Sequence, residues 1–259
     1  MSRLRPGRTV SLSPYRRVMA DWLSFSRSIP LVSIERRIHI PEVAAARATA
    51  RPKPSWLPCL LKAFSIANRE VPDFRRAYMT FPYSRLYEHG SSTAAILVER
   101  DVKGESVAYT YRLSRLEDRS LVEIDERIRK AKTDPIDKIS GFRGADRFVK
   151  LPYLIRKIAI WIAMRLSGSV KERFMGTFAC SSIHGAGAVP IHPICLQTSI
   201  LTFGTVELDG SLLLRLTFDH RVMDGVTASR GLVETEKALN GPILRELLAL
   251  SSVKLNKAA

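Results

Sequence analysis

Ser211 to Gly225 reads SLLLRLTFDHRVMDG. Leu212, Leu214, Leu216 and Phe218 recur at every second position, the period of a strand with one buried face. His220 continues that series, so its side chain is expected to point inward at the strand end. Asp224-Gly225 then opens a helix to Leu239, with Asp224 as a candidate N-cap and Asn240-Gly241-Pro242 as its stop. Just upstream, Asp209-Gly210 is a hairpin signal joining this strand to another at Leu196 to Glu207. On residue chemistry alone His220 has two readings. It is a packed or surface histidine at a strand-to-helix junction, or it is a general base, because a neutral imidazole near pH 7 can take a proton from a thiol or hydroxyl.

Working outward, alternating or β-rich runs predict strands at Leu31 to Ile40, Ser92 to Glu99, Ser106 to Arg112 and Gly176 to Ser182. Helical spacing predicts helices at Tyr15 to Phe25, behind Ser13-Pro14, and at Pro41 to Ala50, Trp56 to Asn68, Leu121 to Ala131, Leu151 to Leu166 and Ile243 to Leu250. Val71 to Tyr87 reads as irregular, and the polar Thr133 to Lys150 as loop or a covering excursion. Strands and helices intermix with no linker-like tract, which predicts one α/β domain. Its expected bounds are a basic arm at 1–12, the domain at 13–250 and a tail at 251–259.

The chain has 259 residues, 41 Lys plus Arg against 25 Asp plus Glu, and a net charge of +16. Such a field favours anionic partners, but no nucleic-acid motif accompanies it, so nucleic acid is not expected. Three cysteines outside any CxxC pair argue against a disulfide framework or a zinc site and for a reducing, cytoplasmic setting. Cys180 and Cys195 read as buried fillers. Arg3, Arg5, Arg8, Arg16 and Arg17, with no acid before Asp21, read as a basic arm leading into the first helix, or as a transit peptide. Leu151 to Leu166 is too short for a membrane span and contains Arg156 and Lys157, so a core or interfacial helix is expected.

Phe218-Asp219-His220-Arg221-Val222-Met223-Asp224-Gly225 resembles the signature near the C-terminus of the dihydrolipoyl acyltransferase component of 2-oxo-acid dehydrogenase complexes. The wider superfamily, with chloramphenicol acetyltransferase, shares His-xxx-Asp-Gly. Gly176-Thr177-Phe178-Ala179-Cys180-Ser181-Ser182 is similar to the family's Gly-Thr-Phe-Thr-Ile-Ser-Asn segment, and Ser13 to Ala20 to its Arg-containing first helix. The chain departs from the pattern where Gly104 to Tyr111 (GESVAYTY) stands at the family's Gly-Leu-Ile-Val-Pro-Val, and where Ser182-Ile183-His184-Gly185 follows the oxyanion serine. No lipoyl-type Asp-Lys-Ala segment occurs, so a free-standing catalytic domain is expected.

The resemblance implies a chloramphenicol acetyltransferase-like mixed sheet flanked by helices. It implies direct acyl transfer from a thioester to a thiol or hydroxyl, with His220 as general base and Ser181 as oxyanion donor. Asp224 would orient the site by holding the loop or by pairing with Arg16 or Arg17. Ser182, His184 and Arg221 are candidate substrate contacts, and His192 is weighed beside His184. Arg143, Arg147 and Lys150 form a basic face that could meet phosphates. No metal and no tightly bound cofactor are expected. The donor would be acyl-CoA or an acyl carrier protein, and the assembly a homotrimer with sites between protomers. Two other readings are an acyltransferase served by lipoyl groups in trans and a non-catalytic trimeric scaffold.

Overall fold

The computed structural model describes residues 7–181 and 190–252. Among these residues six strands form one mixed sheet in the order β1-β8-β7-β6-β4-β5. The strands are β1 (Leu31–His39), β4 (Thr93–Val102), β5 (Glu105–Ser114), β6 (Phe178–Ser181), β7 (Ser199–Phe203) and β8 (Ser211–Asp219). β6 runs parallel to β4 and to β7, and the remaining neighbours are antiparallel. This is the mixed sheet that the resemblance implies. A separate two-stranded hairpin joins β2 (Arg76–Met79) and β3 (Arg85–Glu88).

The alternation in 211–218 does what its period requires. Leu212, Leu214, Leu216 and Phe218 are fully buried on one sheet face, with Phe178 from β6 and Leu201 and Phe203 from β7. Helices α2 (Pro41–Thr49), α3 (Trp56–Glu70), α4 (Leu121–Thr133), α8 (Gly225–Ala238) and α9 (Leu244–Ser252) cover that face. Phe64 of α3 packs edge-on against Phe74 and Phe178, with centroids 5.3 and 5.0 Å away. Truncating any of these large side chains to alanine costs about 2–5 kcal/mol.

A smaller core lies where α1 (Pro14–Ser26) meets α6 (Tyr153–Trp161) and α7 (Gly168–Met175), around Trp22, Ile160, Ala163 and Met175. Ser13 caps α1 by accepting from the Arg16 amide at 3.1 Å. Two glycines are required by close backbone approach. Gly176 (φ +77°) precedes β6, where a Cβ would stand 2.7 Å from the Thr93 carbonyl; Gly210 (φ +80°) closes the β7–β8 turn, where a Cβ would meet Pro41 at 2.6 Å.

Four expectations need correction. Thr133 to Lys150 is not loop: Ser140–Val149 forms α5, because Phe142 is fully buried against the rings of Tyr109 and Tyr111. Val71 to Tyr87 contains the β2–β3 hairpin, whose four-residue strands are too short to show a period. The segment before Gly176 holds α7, which the pattern did not predict. Asn240-Gly241-Pro242 does not stop the C-terminal helix. A π-turn over Leu239–Ile243 takes Pro242 into the helix, where the wider ring tolerates the missing N–H.

Candidate active site at the end of strand β8

β8 ends at Asp219, and His220 is the first residue of the turn that follows. Alternation stops with the strand, so the inward direction expected for His220 does not hold. Its side chain is exposed in the single chain, with the ring centroid 5.9 Å from that of Phe218. Its backbone is fixed nonetheless. The His220 amide donates to the Pro30 carbonyl at 2.9 Å, and the Asp219 amide to the Thr198 carbonyl at 3.0 Å. Among the described residues the imidazole has no hydrogen-bond partner.

Beneath His220 lies an ionic clamp. Asp219, fully buried, accepts from Arg221 Nε at 2.9 Å, from Arg221 Nη2 at 2.7 Å and from the Arg221 amide at 3.0 Å. Arg221 Nη1 donates to the Ser28 carbonyl at 3.1 Å, and the guanidinium lies 4.6 Å from the centre of the Tyr78 ring. The structure therefore commits Arg221 to the protein, as a residue that positions the turn. The sequence reading missed this pair. Its signal was Asp219 on the odd-numbered face of β8, with Arg215 and Thr217, two residues before an arginine.

A second cation belongs to this neighbourhood. Lys171 of α7 is buried. Burial pushes its ammonium below the ordinary lysine pKa, and the Asp219 carboxylate opposes that shift. Nothing in the sequence pattern distinguishes Lys171 from a surface lysine.

Asp224 is the N-cap of α8, accepting from the Thr227 amide at 2.8 Å. That backbone hydrogen bond holds its carboxyl below the usual carboxylate range. It pairs with neither Arg16 nor Arg17, so of its two expected roles the structure favours holding the loop. Among the described residues the Arg16 guanidinium reaches only the Met19 sulfur, at 3.9 Å.

Ser181 closes β6 and is half-buried. It sits on the sheet face opposite the main core, next in register to Leu97, which is 63% exposed. Ser181 pairs with Thr202, and Thr202 with Arg215, five residues before His220. Five residues of strand and two strand spacings separate Ser181 from His220 by roughly 19 Å within one chain. The chain does not bring its two principal candidates together.

Ser182 and His184 lie outside the described residues. His192 is exposed beside β1, with Nδ1 3.4 Å from the Ser33 hydroxyl. Arg143 and Arg147 line a cleft of about 540 Å³ with Arg100, Tyr109 and Asp146, near the β5 edge of the sheet and away from β8. Cys180 and Cys195 are buried fillers whose thiols burial pushes up to about 12. Among the described residues no group of three His, Cys, Asp or Glu side chains is placed to hold a metal, and no helix is long and apolar enough to cross a membrane.

The architecture is that of acyltransferase catalytic cores from 2-oxo-acid dehydrogenase complexes. The chain is similar to the crystal structure of a probable dihydrolipoamide acetyltransferase from Listeria monocytogenes, with 18% identity and a TM-score of 0.64 over 90% of this chain and 94% of that one. It is similar to the Azotobacter vinelandii dihydrolipoamide acetyltransferase, with 19% identity and a TM-score of 0.63 over 94% and 100%; that structure concerns a serine, a histidine and an asparagine in the catalytic mechanism. A truncated catalytic core of the 2-oxoacid dehydrogenase multienzyme complex from Thermoplasma acidophilum matches with 18% identity and a TM-score of 0.61 over 91% and 99%. At such identities the likeness is one of fold. By sequence, no family profile and no curated relative matches.

Proposed function

We propose that this protein is an acyltransferase that moves an acyl group directly from a thioester to a thiol or hydroxyl. The observation that carries this reading is an exposed imidazole on a fixed backbone, at the end of a core strand, in the fold of acyltransferase cores. His220 takes the proton from the acceptor, and the resulting thiolate or alkoxide attacks the thioester carbonyl. The tetrahedral intermediate collapses, expels the donor thiolate, and the imidazolium returns the proton to it. Ser181 donates to the oxyanion, a contribution of about 3 kcal/mol for one such donor. Asp224 and the Asp219–Arg221 clamp hold the turn that presents His220.

The roughly 19 Å between Ser181 and His220 in one chain favours a site completed by a second protomer, in a homotrimer. The exposed Leu97 beside Ser181 is the kind of surface such a contact would cover. In the Azotobacter vinelandii enzyme the histidine and the asparagine stand four positions apart, as His220 and Asp224 do here. A net charge of +16 suits an anionic donor, acyl-CoA or an acyl carrier protein. Release of thiol from a panel of such donors tests the reading. His220→Ala is expected to slow turnover about 10²–10⁴-fold; a variant as fast as the parent on every active donor would remove His220 from the chemistry.

A further inference from the structure

Helix α6 is inside out. Its residues Arg156 and Ile160 face the protein, whereas Leu154, Ile155 and Ile158 face outward at 71%, 53% and 58% exposure. Arg156 reaches the interior because Asp21 of α1 receives it, Nε to Oδ2 at 2.6 Å, with Lys157 at 3.0 Å from the other oxygen. Burial raises the Asp21 carboxyl, but hydrogen bonds from Lys157 and Arg156 outweigh it and hold the group below its ordinary value. An ordinary surface helix turns its apolar stripe to the core. Here an ion pair occupies the inner face while three large aliphatic side chains meet solvent.

The outward stripe continues. Trp161 ends it against Phe81 of the β2–β3 turn, with ring centroids 5.2 Å apart, and Tyr153, 59% exposed, stands at the helix start with its ring beside Arg156 and Lys157. Aliphatic residues at the centre with aromatic rings at the ends make a surface suited to the boundary between headgroups and acyl chains. Single exposed apolar residues need no explanation; a contiguous stripe on one helix does.

Charge says what covers it. From Arg147 to Lys171 the sequence holds six cations and no acid. Lys150 is exposed two residues before the α6 cap, and Arg17 lines a groove with Tyr153. At the other end Arg85 hydrogen-bonds the Phe81 and Leu166 carbonyls. None of these three cations has an acidic partner among the described residues. The helix and its π-turn extension to Leu166 measure about 21 Å, short of the roughly 30 Å of a bilayer's hydrocarbon core. The element can lie on a membrane but cannot cross one.

From this geometry we infer that the α6 face docks on an anionic lipid surface, its aliphatic stripe entering the headgroup boundary and its rim cations meeting lipid phosphates. The inference is independent of the acyl-transfer reading. It is tested by sedimenting the full chain with phosphatidylcholine vesicles, with and without phosphatidylglycerol. Pelleting is expected only with the anionic vesicles, and salt should weaken it. The double variant Ile155→Glu/Ile158→Glu should abolish pelleting, and Lys150→Glu should weaken it about fivefold or more. Both changes fall on exposed side chains, and an unchanged melting temperature would show that the fold is intact. Failure to pellet with anionic vesicles overturns the inference, as does equal pelleting with neutral ones. So does light scattering in which Ile155→Glu/Ile158→Glu breaks an oligomer, because the face would then be a contact between copies of this chain.

Discussion

The separation of Ser181 from His220 makes a quantitative prediction about mixed oligomers. A base and an oxyanion donor must each stand about 3 Å from neighbouring atoms of one reacting group. Side chains roughly 19 Å apart along and across the sheet cannot do so, so the proposed site would take Ser181 from one protomer and His220 from the next. Ser181→Ala is expected to lose about 10²–10³-fold in kcat, and His220→Ala at least as much. In a ring of three, every trimer containing both variants keeps one intact site of three. Random 1:1 assembly makes three-quarters of the trimers mixed, so about a quarter of the parental sites return. The assay is thiol release by the two purified variants, separately and after co-refolding. Restored activity should far exceed the residual rate of either variant. A mixture no faster than the mean of its components would refute the shared site.

Other expectations follow from the groups beneath His220. Arg221→Met leaves the buried Asp219 carboxylate without its bidentate partner, which should cost about 3–5 kcal/mol and lower Tm by roughly 10 °C; a Tm within about 2 °C of the parent would show that the clamp is not structural. Burial lowers the folded-state pKa of Lys171, so the unfolded chain binds that proton more tightly. Lys171 therefore weakens the fold at neutral pH, and the penalty fades as pH rises toward the unfolded value of about 10.4. In urea melts the parent should gain stability relative to Lys171→Met between pH 7 and about 10; parallel curves would count against the buried ammonium. The three cysteines are buried, with thiols pushed up to about 12. Native protein should leave them unlabelled by a thiol reagent at neutral pH and denatured protein should not; prompt native labelling of Cys180 would contradict the packing of β6.

What could be read in advance was whatever repeats over enough residues or names a turn. Eight residues of β8, the Asp209-Gly210 hairpin and the Asp224 cap were legible because each is a local demand on the backbone. α5 was not, since its one fully buried anchor, Phe142, shows its role only against Tyr109 and Tyr111 of a strand thirty residues away. β2 and β3 were too short for a period. The direction of His220 failed for a related reason: alternation holds only while a strand is paired, and pairing ends one residue earlier. The resemblance supplied Ser181 and His220, but only register could show how far apart one chain holds them.

The base proposed at His220 would have to be rigid without being buried, and the residues around it meet both conditions. Packing an imidazole among Leu216 and Phe218 would fix it but seal it from substrate. Here the fixing is moved to the backbone and to the layer below. The His220 amide is tied to Pro30, and the amides of Val222 and Met223 turn back to the Asp219 carbonyl. The Asp219 carboxylate meanwhile anchors Arg221 against Ser28 and Tyr78. Only the torsions of His220's own side chain remain free, so the ring is available to a partner while its Cα stays in place. The ionic layer is a poor source of net stability, since desolvation offsets much of its attraction. Its value lies in geometry: a carboxylate held by a guanidinium at two points fixes where the turn begins. A scaffold that only needed to fold would do as well with apolar residues there. The proposed half-site, which would have to meet its oxyanion donor on another chain, would not.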